Sequence, residues 1–179
     1  MRNVPTRERI LVAWVPQTAL SEGWLGLRAS ECGITRVVLP QPTHDEILSQ
    51  VGQGMLAHTD SLLLRTYWQL RGFLSGRRQQ PNVPVDVCRQ TAFARQALAE
   101  CRRISPGETA SYGELARRLG RPDAARAVGQ AMARNPVPLA VPCHRVIRAD
   151  GSLGGFGAGA DIKRRLLRLE DAEMALLTG

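Results

Sequence analysis

The chain has 179 residues, 44% of them hydrophobic, which is enough apolar material for a packed core and argues against a disordered protein. Its formal net charge of +8 is compatible with a polyanionic partner such as nucleic acid, although a bias towards arginine codons would give the same charge. No apolar run approaches the roughly 20 residues of a membrane span. The N-terminus also lacks the apolar stretch of a secretion signal, so a cytoplasmic location is expected, or a nuclear one in a eukaryotic host.

The first half of the chain has the strand pattern of an α/β domain. Short apolar runs predict three strands, at residues 10–15, 24–29 and 34–39. The second and third strands are joined through residues 30–33, which have the composition of a hairpin turn. Valines alternate at positions 83, 85 and 87 and predict a final strand.

Two helices are predicted between these strands. Thr43 and Glu46 have the spacing of a capping box, which predicts a helix from His44 to Leu56. Asp60 can cap a second helix, whose large apolar residues recur at helical spacing until Gly76. This apolar stripe is interpreted as core rather than as a ligand-binding surface.

Beyond residue 88 the pattern becomes helical. Helices are predicted over residues 93–104, 111–119, 124–134 and 162–169. Asp123 is expected to provide the N-cap of the third of these helices. The chain is therefore expected to form an α/β N-terminal domain (1–88), a small antiparallel sheet with helices, and a mainly α C-terminal domain (89–179).

The second and third of these C-terminal helices resemble a helix-turn-helix. Ala116 lies four residues before Gly120, which is the arrangement of a small residue and a turn glycine that the motif uses. Between residues 117 and 148 there are seven arginines and one acidic residue. This charge favours a phosphate-binding surface, with a solvated arginine surface as the alternative.

The predicted third helix has few bulky side chains. Small residues allow its backbone to approach a partner closely, and only Arg126, Gln130 and Arg134 could hydrogen-bond to bases. This composition suits a protein that reads the shape of DNA rather than its sequence. The alternative is an alanine-rich helix packed against a neighbouring helix.

The segment Pro142–Val146 places a thiol beside an imidazole and a guanidinium. A cysteine with an ordinary pKa of about 8.5 is only slightly ionised at neutral pH, and neighbouring cations or an imidazole base are the usual means of activating it. Cys143 is therefore a candidate reactive cysteine. The other cysteines form no CxxC pair, and no chemical role is expected for them: Cys32, Cys88 and Cys101.

Four segments then occur in the order and spacing of a known family: SYGELA (111–116), AARAVG (124–129), RNPVP (134–138) and PCHRVI (142–147). Together they closely resemble the O6-alkylguanine-DNA alkyltransferases, also called methylated-DNA–protein-cysteine methyltransferases. The likeness is strong over residues 91–170 and faint over residues 10–90. The chain departs from the family pattern at four positions: Ala94, Leu98, Phe156 and Ala158.

The resemblance implies DNA repair by direct reversal, in which an alkyl group passes irreversibly from O6-alkylguanine to the protein. It implies that Cys143 accepts the alkyl group and that His144 acts as its base through a water molecule. Glu170 would orient His144, and the hydroxyl of Tyr112 would donate to the departing guanine. No cofactor is expected. Some members of the family carry a structural zinc ion, but Cys32, His44 and His58 lack a four-ligand arrangement here, so no metal is expected.

The resemblance also implies a monomer that binds double-stranded DNA through the minor groove. Arg126 would enter the base stack where the alkylguanine is flipped out. The other expected DNA contacts come from the same helix and its end: Ala125, Ala127, Gln130 and Arg134. The expected pocket and its support consist of Asn135, Pro138, Arg145, Val146, Phe156, Gly157 and Ala158.

Two other functions stay open at this point. The first is a non-catalytic protein that binds alkylation damage, of the alkyltransferase-like kind, although such proteins replace the cysteine that is present here as Cys143. The second is a cysteine hydrolase that uses Cys143 and His144. Adjacent residues seldom face each other, and the sequence shows no oxyanion-forming loop, so the hydrolase is disfavoured.

Overall fold

The computed structural model of the chain describes residues 8–16, 18–76 and 80–170. The first four strands are β1 (Arg9–Val15), β2 (Gly23–Ala29), β3 (Ile34–Gln41) and β4 (Met55–Leu56), and two short strands follow, β5 (Ala110–Ser111) and β6 (Val146–Ile147). The helices of the described residues are α1 (His44–Val51), α2 (Ser61–Leu74), α3 (Ala92–Cys101), α4 (Tyr112–Arg118), α5 (Ala125–Ala133) and α6 (Ala160–Leu169). The longest of them, α2, has 14 residues, and none combines the length and apolarity needed to cross a membrane.

The N-terminal strands form a sheet in the order β3-β2-β1-β4. The pairs β1–β2 and β2–β3 are antiparallel, which confirms the three predicted strands and the hairpin between the last two. The pair β1–β4 is parallel, so the sheet is mixed rather than purely antiparallel.

Two predictions about the N-terminal part are wrong. The first helix ends at Val51, before Gly52, whose φ of 79° interrupts the helix, and the next residues pair with β1 instead of continuing it. The valines at 83–87 form a single bridge, between Ile34 and Val85, and no strand. Pro84 lies in this run and has no backbone N–H to extend a ladder.

The core is continuous between the two halves of the chain. One face of the sheet packs against α2, whose Leu63, Leu70 and Leu74 are fully buried. The same hydrophobic cluster includes Leu98 of α3 and Leu115 of α4. The other face is covered by α1 through a smaller cluster. The division of the chain after residue 88 stays a prediction.

The helices α4 and α5 begin in different ways. Ser111 and Glu114 form a capping box at the start of α4, and the chain leaves this helix at Gly120, which has a φ of 69°. A turn of 3-10 helix over Pro122–Ala124 then leads into α5. Asp123 lies inside this turn, and no side chain of the described residues caps α5, so the predicted N-cap is wrong.

Candidate active site

Cys143 begins a 3-10 turn (Cys143–Arg145) at the wall of a cavity of about 830 Å³ between β3 and the C-terminal helices. Its side chain is 5% exposed. Six other predicted site residues line this cavity together with Cys143: Arg134, Asn135, Pro138, Phe156, Gly157 and Ala158. Most of the predicted pocket therefore lies together with Cys143, whereas the buried Arg145 and Val146 do not line the cavity.

Asn135 holds both the turn and the thiol. Its Nδ2 donates to the Val141 carbonyl oxygen at 2.9 Å and to Sγ of Cys143 at 3.1 Å, and its Oδ1 accepts from the Val137 N–H at 3.0 Å. Asn135 was expected among the residues that support the pocket, but its bond to sulfur was not predicted. Burial raises the pKa of the Cys143 thiol, and the hydrogen bond from Asn135 offsets part of this increase.

His144 is buried beside a carboxylate. Its Nε2 lies 3.0 Å from Oε1 of Glu170, and its Nδ1 is buried without a hydrogen-bond partner among the described residues. Burial lowers the pKa of His144, although Glu170 opposes this, so the imidazole is neutral at pH 7. Because Glu170 accepts from Nε2–H, the unprotonated nitrogen is Nδ1, which is able to accept a proton.

A buried ion pair supports this histidine. Arg145 is fully buried and donates to both carboxylate oxygens of Glu170, from Nε at 2.8 Å and from Nη2 at 2.6 Å. Its Nη1 donates to the Ile104 carbonyl and to Oε1 of Gln80, each at 2.5 Å. Burial alone would raise the pKa of Glu170, but the hydrogen bonds from His144 and Arg145 lower it to about 2. The carboxylate is therefore ionised throughout the neutral range.

Tyr112, at the start of α4, faces the loop that follows β6. Its hydroxyl donates to the Gly155 carbonyl at 3.4 Å. Gly154 has a φ of 66°, and a Cβ at this position would lie 2.8 Å from the Tyr112 hydroxyl oxygen, so the loop needs glycine here. Burial and the nearby Cys143 raise the pKa of Tyr112, which therefore keeps its proton at neutral pH.

The sequence reasoning missed Lys163, which is buried on the inner side of α6. Its ammonium donates to the Val146 carbonyl at 2.5 Å and to the Leu153 carbonyl. Burial lowers its pKa to about 8. Two features of the sequence could have indicated it: it is the only lysine, and it lies three and four residues before Leu166 and Leu167 on the apolar side of the helix.

The predicted DNA-contacting residues lie together on the surface of α5 and just after it. Arg126, Gln130 and Arg134 follow one another at intervals of four and are exposed, whereas Val128 and Met132 are buried. The half-buried Ala125 and Ala127 flank the first arginine. Val146 is buried and offers its carbonyl to Lys163 rather than its side chain to the cavity. Residues 8–16, 18–76 and 80–170 contain no group of three or more metal-ligating side chains that could hold an ion.

The fold and the site together define a two-part protein, a small mixed sheet followed by a helical part that carries a buried cysteine beside a histidine–glutamate pair. The sequence-family model for the DNA-binding domain of 6-O-methylguanine DNA methyltransferase matches residues 92–172 of this chain. The structure of Mycobacterium tuberculosis OGT in complex with DNA is 33% identical, with a TM-score of 0.71, and the match covers 96% of this chain and 97% of that one. The chain belongs to the O6-methylguanine-DNA methyltransferase family.

Curated relatives agree with this assignment. The methylated-DNA–protein-cysteine methyltransferase of Mycolicibacterium paratuberculosis is 45% identical over 102 residues, which are 57% of this chain and 61% of the relative. The protein of the same name from Methanosarcina acetivorans is 43% identical over 102 residues, or 65% of its length. The chain thus spans less than two thirds of these two relatives. Family membership confirms both the resemblance and the two-part fold that it implied.

Proposed function

We propose that the chain repairs DNA by transferring an alkyl group from O6 of a modified guanine to Cys143. The observation that carries this proposal is the position of the Cys143 sulfur, at the wall of the large cavity and hydrogen-bonded to Asn135. His144 directly follows Cys143 in the chain, and its buried partner Glu170 comes from the end of the described C-terminal part; the pair supplies a base and its orienting carboxylate.

The reaction begins with a proton transfer. The neutral imidazole of His144 takes the thiol proton at Nδ1, through one bridging water, and Glu170 stabilises the imidazolium that forms. The Cys143 sulfur then attacks the saturated carbon on O6, so that a carbon–sulfur bond forms as the carbon–oxygen bond breaks. The negative charge moves onto the purine, where the Tyr112 hydroxyl, which keeps its proton, donates a hydrogen bond.

The transfer occurs once for each chain. The product is a thioether, which is a poor leaving group, so the alkyl group stays on Cys143. The protein is then consumed by the repair that it performs, and the number of guanines restored cannot exceed the number of chains.

DNA binding is assigned to α4 and α5, which act as a helix-turn-helix. The match of residues 92–172 to a DNA-binding domain and the exposed Arg126, Gln130 and Arg134 support this assignment. Small residues let α5 enter the minor groove, and Arg126 fills the base stack when the alkylguanine is flipped into the cavity. Flipping costs a few kcal/mol, about the energy of unstacking one base, and the inserted guanidinium offsets part of it. The protein acts as a monomer, in the cytoplasm or in the nucleus of a eukaryotic host.

The proposal is tested by peptide mass spectrometry after incubation with a duplex that contains O6-methylguanine. One methyl group is expected on Cys143 and none on Cys32, Cys88 or Cys101. Cys143→Ser should abolish the transfer, whereas Cys88→Ser, which changes an exposed thiol, should leave it intact. If the wild type binds the damaged duplex and no methyl group reaches Cys143, the proposal fails and a non-catalytic damage-binding protein is indicated instead.

A further inference from the structure

Lys163 is an exception within this chain. All the other basic residues are arginines, but the one lysine is fully buried, next to the candidate active site. Burying an ammonium costs free energy unless it is hydrogen-bonded and near a negative charge. Lys163 is hydrogen-bonded to two main-chain carbonyls, and its location suggests where the negative charge would come from.

The two carbonyls belong to two different segments, both of which follow Cys143 in the chain. Val146 directly follows the Cys143–Arg145 turn, and Leu153 lies in the loop just before Gly154 and Gly155. The same loop contacts the Tyr112 hydroxyl through Gly155. The Lys163 ammonium thus connects the Cys143–Arg145 turn to this loop. Residues 156–158, which follow in the same loop, line the cavity.

We propose that Lys163 is a positioning residue, which fixes the loop against the reactive turn and supplies the positive charge that favours the Cys143 thiolate. Its effect on the thiol is independent of DNA, whereas its effect on alkyl transfer rests on the proposed function. The compact ammonium donates to both carbonyls from one atom and carries its charge as a point, whereas a guanidinium spreads its charge over a planar fork.

The electrostatic part follows from the groups around the ammonium. The ionisable and charged groups that act on or beside it are Cys143, Cys101, Tyr112, His144, Arg145 and Arg148. Burial is the largest influence on the pKa of Lys163 and lowers it, and the two cysteines oppose this decrease. Lys163 in turn lowers the pKa of Cys143. Below about pH 8 the ammonium is charged and favours the thiolate, and this support is lost as the pH rises through that value.

The first test measures the thiol without DNA. Carbamidomethylation of Cys143 by iodoacetamide is followed by peptide mass spectrometry as a function of pH, with the exposed Cys88 as an internal control. Lys163→Met keeps the length of the side chain and removes the charge. Its Cys143 profile should move to higher pH, so that the rate at pH 7 falls about tenfold and recovers at high pH. Arg168→Met removes an exposed charge from the same helix and should leave the profile unchanged.

The second test needs no variant of Lys163. Since the chain has one lysine, labelling with ¹³C-lysine gives one Cε resonance. This resonance should titrate near pH 8, because burial lowers the pKa of the ammonium. The proposal is overturned if the resonance titrates near the ordinary value of 10.5, or if Lys163→Met leaves the Cys143 profile in place.

Single-turnover kinetics then test the dependence on the proposed function. Lys163→Met should slow methyl transfer from the damaged duplex at pH 7 about tenfold, with the Kd for DNA unchanged. Wild-type protein that fails to transfer methyl would overturn the proposed function alone, since the iodoacetamide profile would still report the effect of Lys163 on Cys143. Equal transfer rates in the two proteins would overturn the positioning role.

Discussion

Replacing Glu170 with glutamine measures what the buried ionic network behind Cys143 contributes to stability. The substitution keeps the size of the side chain and removes its charge. It leaves the fully buried guanidinium of Arg145 without a counter-ion and changes the partner of His144 from a carboxylate to an amide. We therefore expect a large loss of stability together with a slower reaction.

The magnitude follows from the pKa of Glu170. This pKa falls from 4.5 to about 2 on folding. At about 1.4 kcal/mol for each pH unit, the difference corresponds to about 3 kcal/mol at pH 7. Breaking a buried ion pair by removing one partner costs about 3 to 5 kcal/mol, which agrees with this figure. In a domain of this size the midpoint of thermal unfolding should fall by about 6 to 12 °C.

The assay is urea unfolding at a series of pH values, with Asp161→Asn as the matched control. Asp161 lies in α6, the helix that ends just before Glu170, and pairs with Arg164. It is 84% exposed, so its loss should cost less than about 1 kcal/mol. Because the pKa of Glu170 is lowered by folding, its stabilisation is present above pH 4.5 and is lost as the pH falls towards 2. The difference between the wild type and Glu170→Gln should therefore be largest at neutral pH and shrink in acid.

Two results would refute this reasoning. One is a Glu170→Gln protein that is as stable at pH 7 as Asp161→Asn. The other is a stability difference that stays constant from pH 7 to pH 3, which would mean that the network acts through shape and not through the charge of Glu170.

Three further substitutions test other contacts of the site. Asn135→Ala removes the donor to the Cys143 sulfur, so the pH profile of Cys143 alkylation by iodoacetamide should move to higher pH. The free energy of unfolding, measured in urea, should fall by about 2 kcal/mol. An unchanged alkylation profile would contradict the contact. Tyr112→Phe should slow single-turnover methyl transfer at least about tenfold with the Kd for DNA within about twofold, and a full rate would exclude the hydroxyl as donor. Arg126→Ala should slow methyl transfer from duplex DNA but not from a single strand. Because Arg126 is exposed, the free energy of unfolding should change by no more than about 0.5 kcal/mol. Equal slowing on both substrates would argue against insertion of Arg126 into the base stack.

The elements of the fold that depend only on residues close together in the sequence were predictable. The three apolar strands of the N-terminal sheet and the capping box at Thr43 were predicted from local patterns, and the structure contains them. The capping box at Ser111 is a local pattern of the same kind, although it was not predicted. The end of α1 was missed because Met55 and Leu56 pair with β1, more than 40 residues away. A sequence pattern cannot weigh that long-range pairing against the continuation of a helix.

The same distinction holds in the candidate active site. The family motifs led to Cys143, His144 and Glu170, and the structure brings the last two within 3.0 Å of each other across 26 positions. Arg145 forms two hydrogen bonds to Glu170, 25 positions away, and one to Gln80, 65 positions away. No sequence motif spans such distances along the chain. Lys163 was missed for a related reason, because its partners are main-chain carbonyls, which carry no signature in the sequence.

The central claim is that each chain accepts one alkyl group on one sulfur, and its most direct test is a titration. A fixed amount of protein is incubated with increasing amounts of a duplex that contains O6-methylguanine, and the restored guanine is counted when the reaction has ended. We expect a plateau at one guanine for each active chain, with Cys143 fully methylated at that point. Restored guanine that continues to rise in excess substrate, or a plateau reached with Cys143 still unmodified, would contradict it.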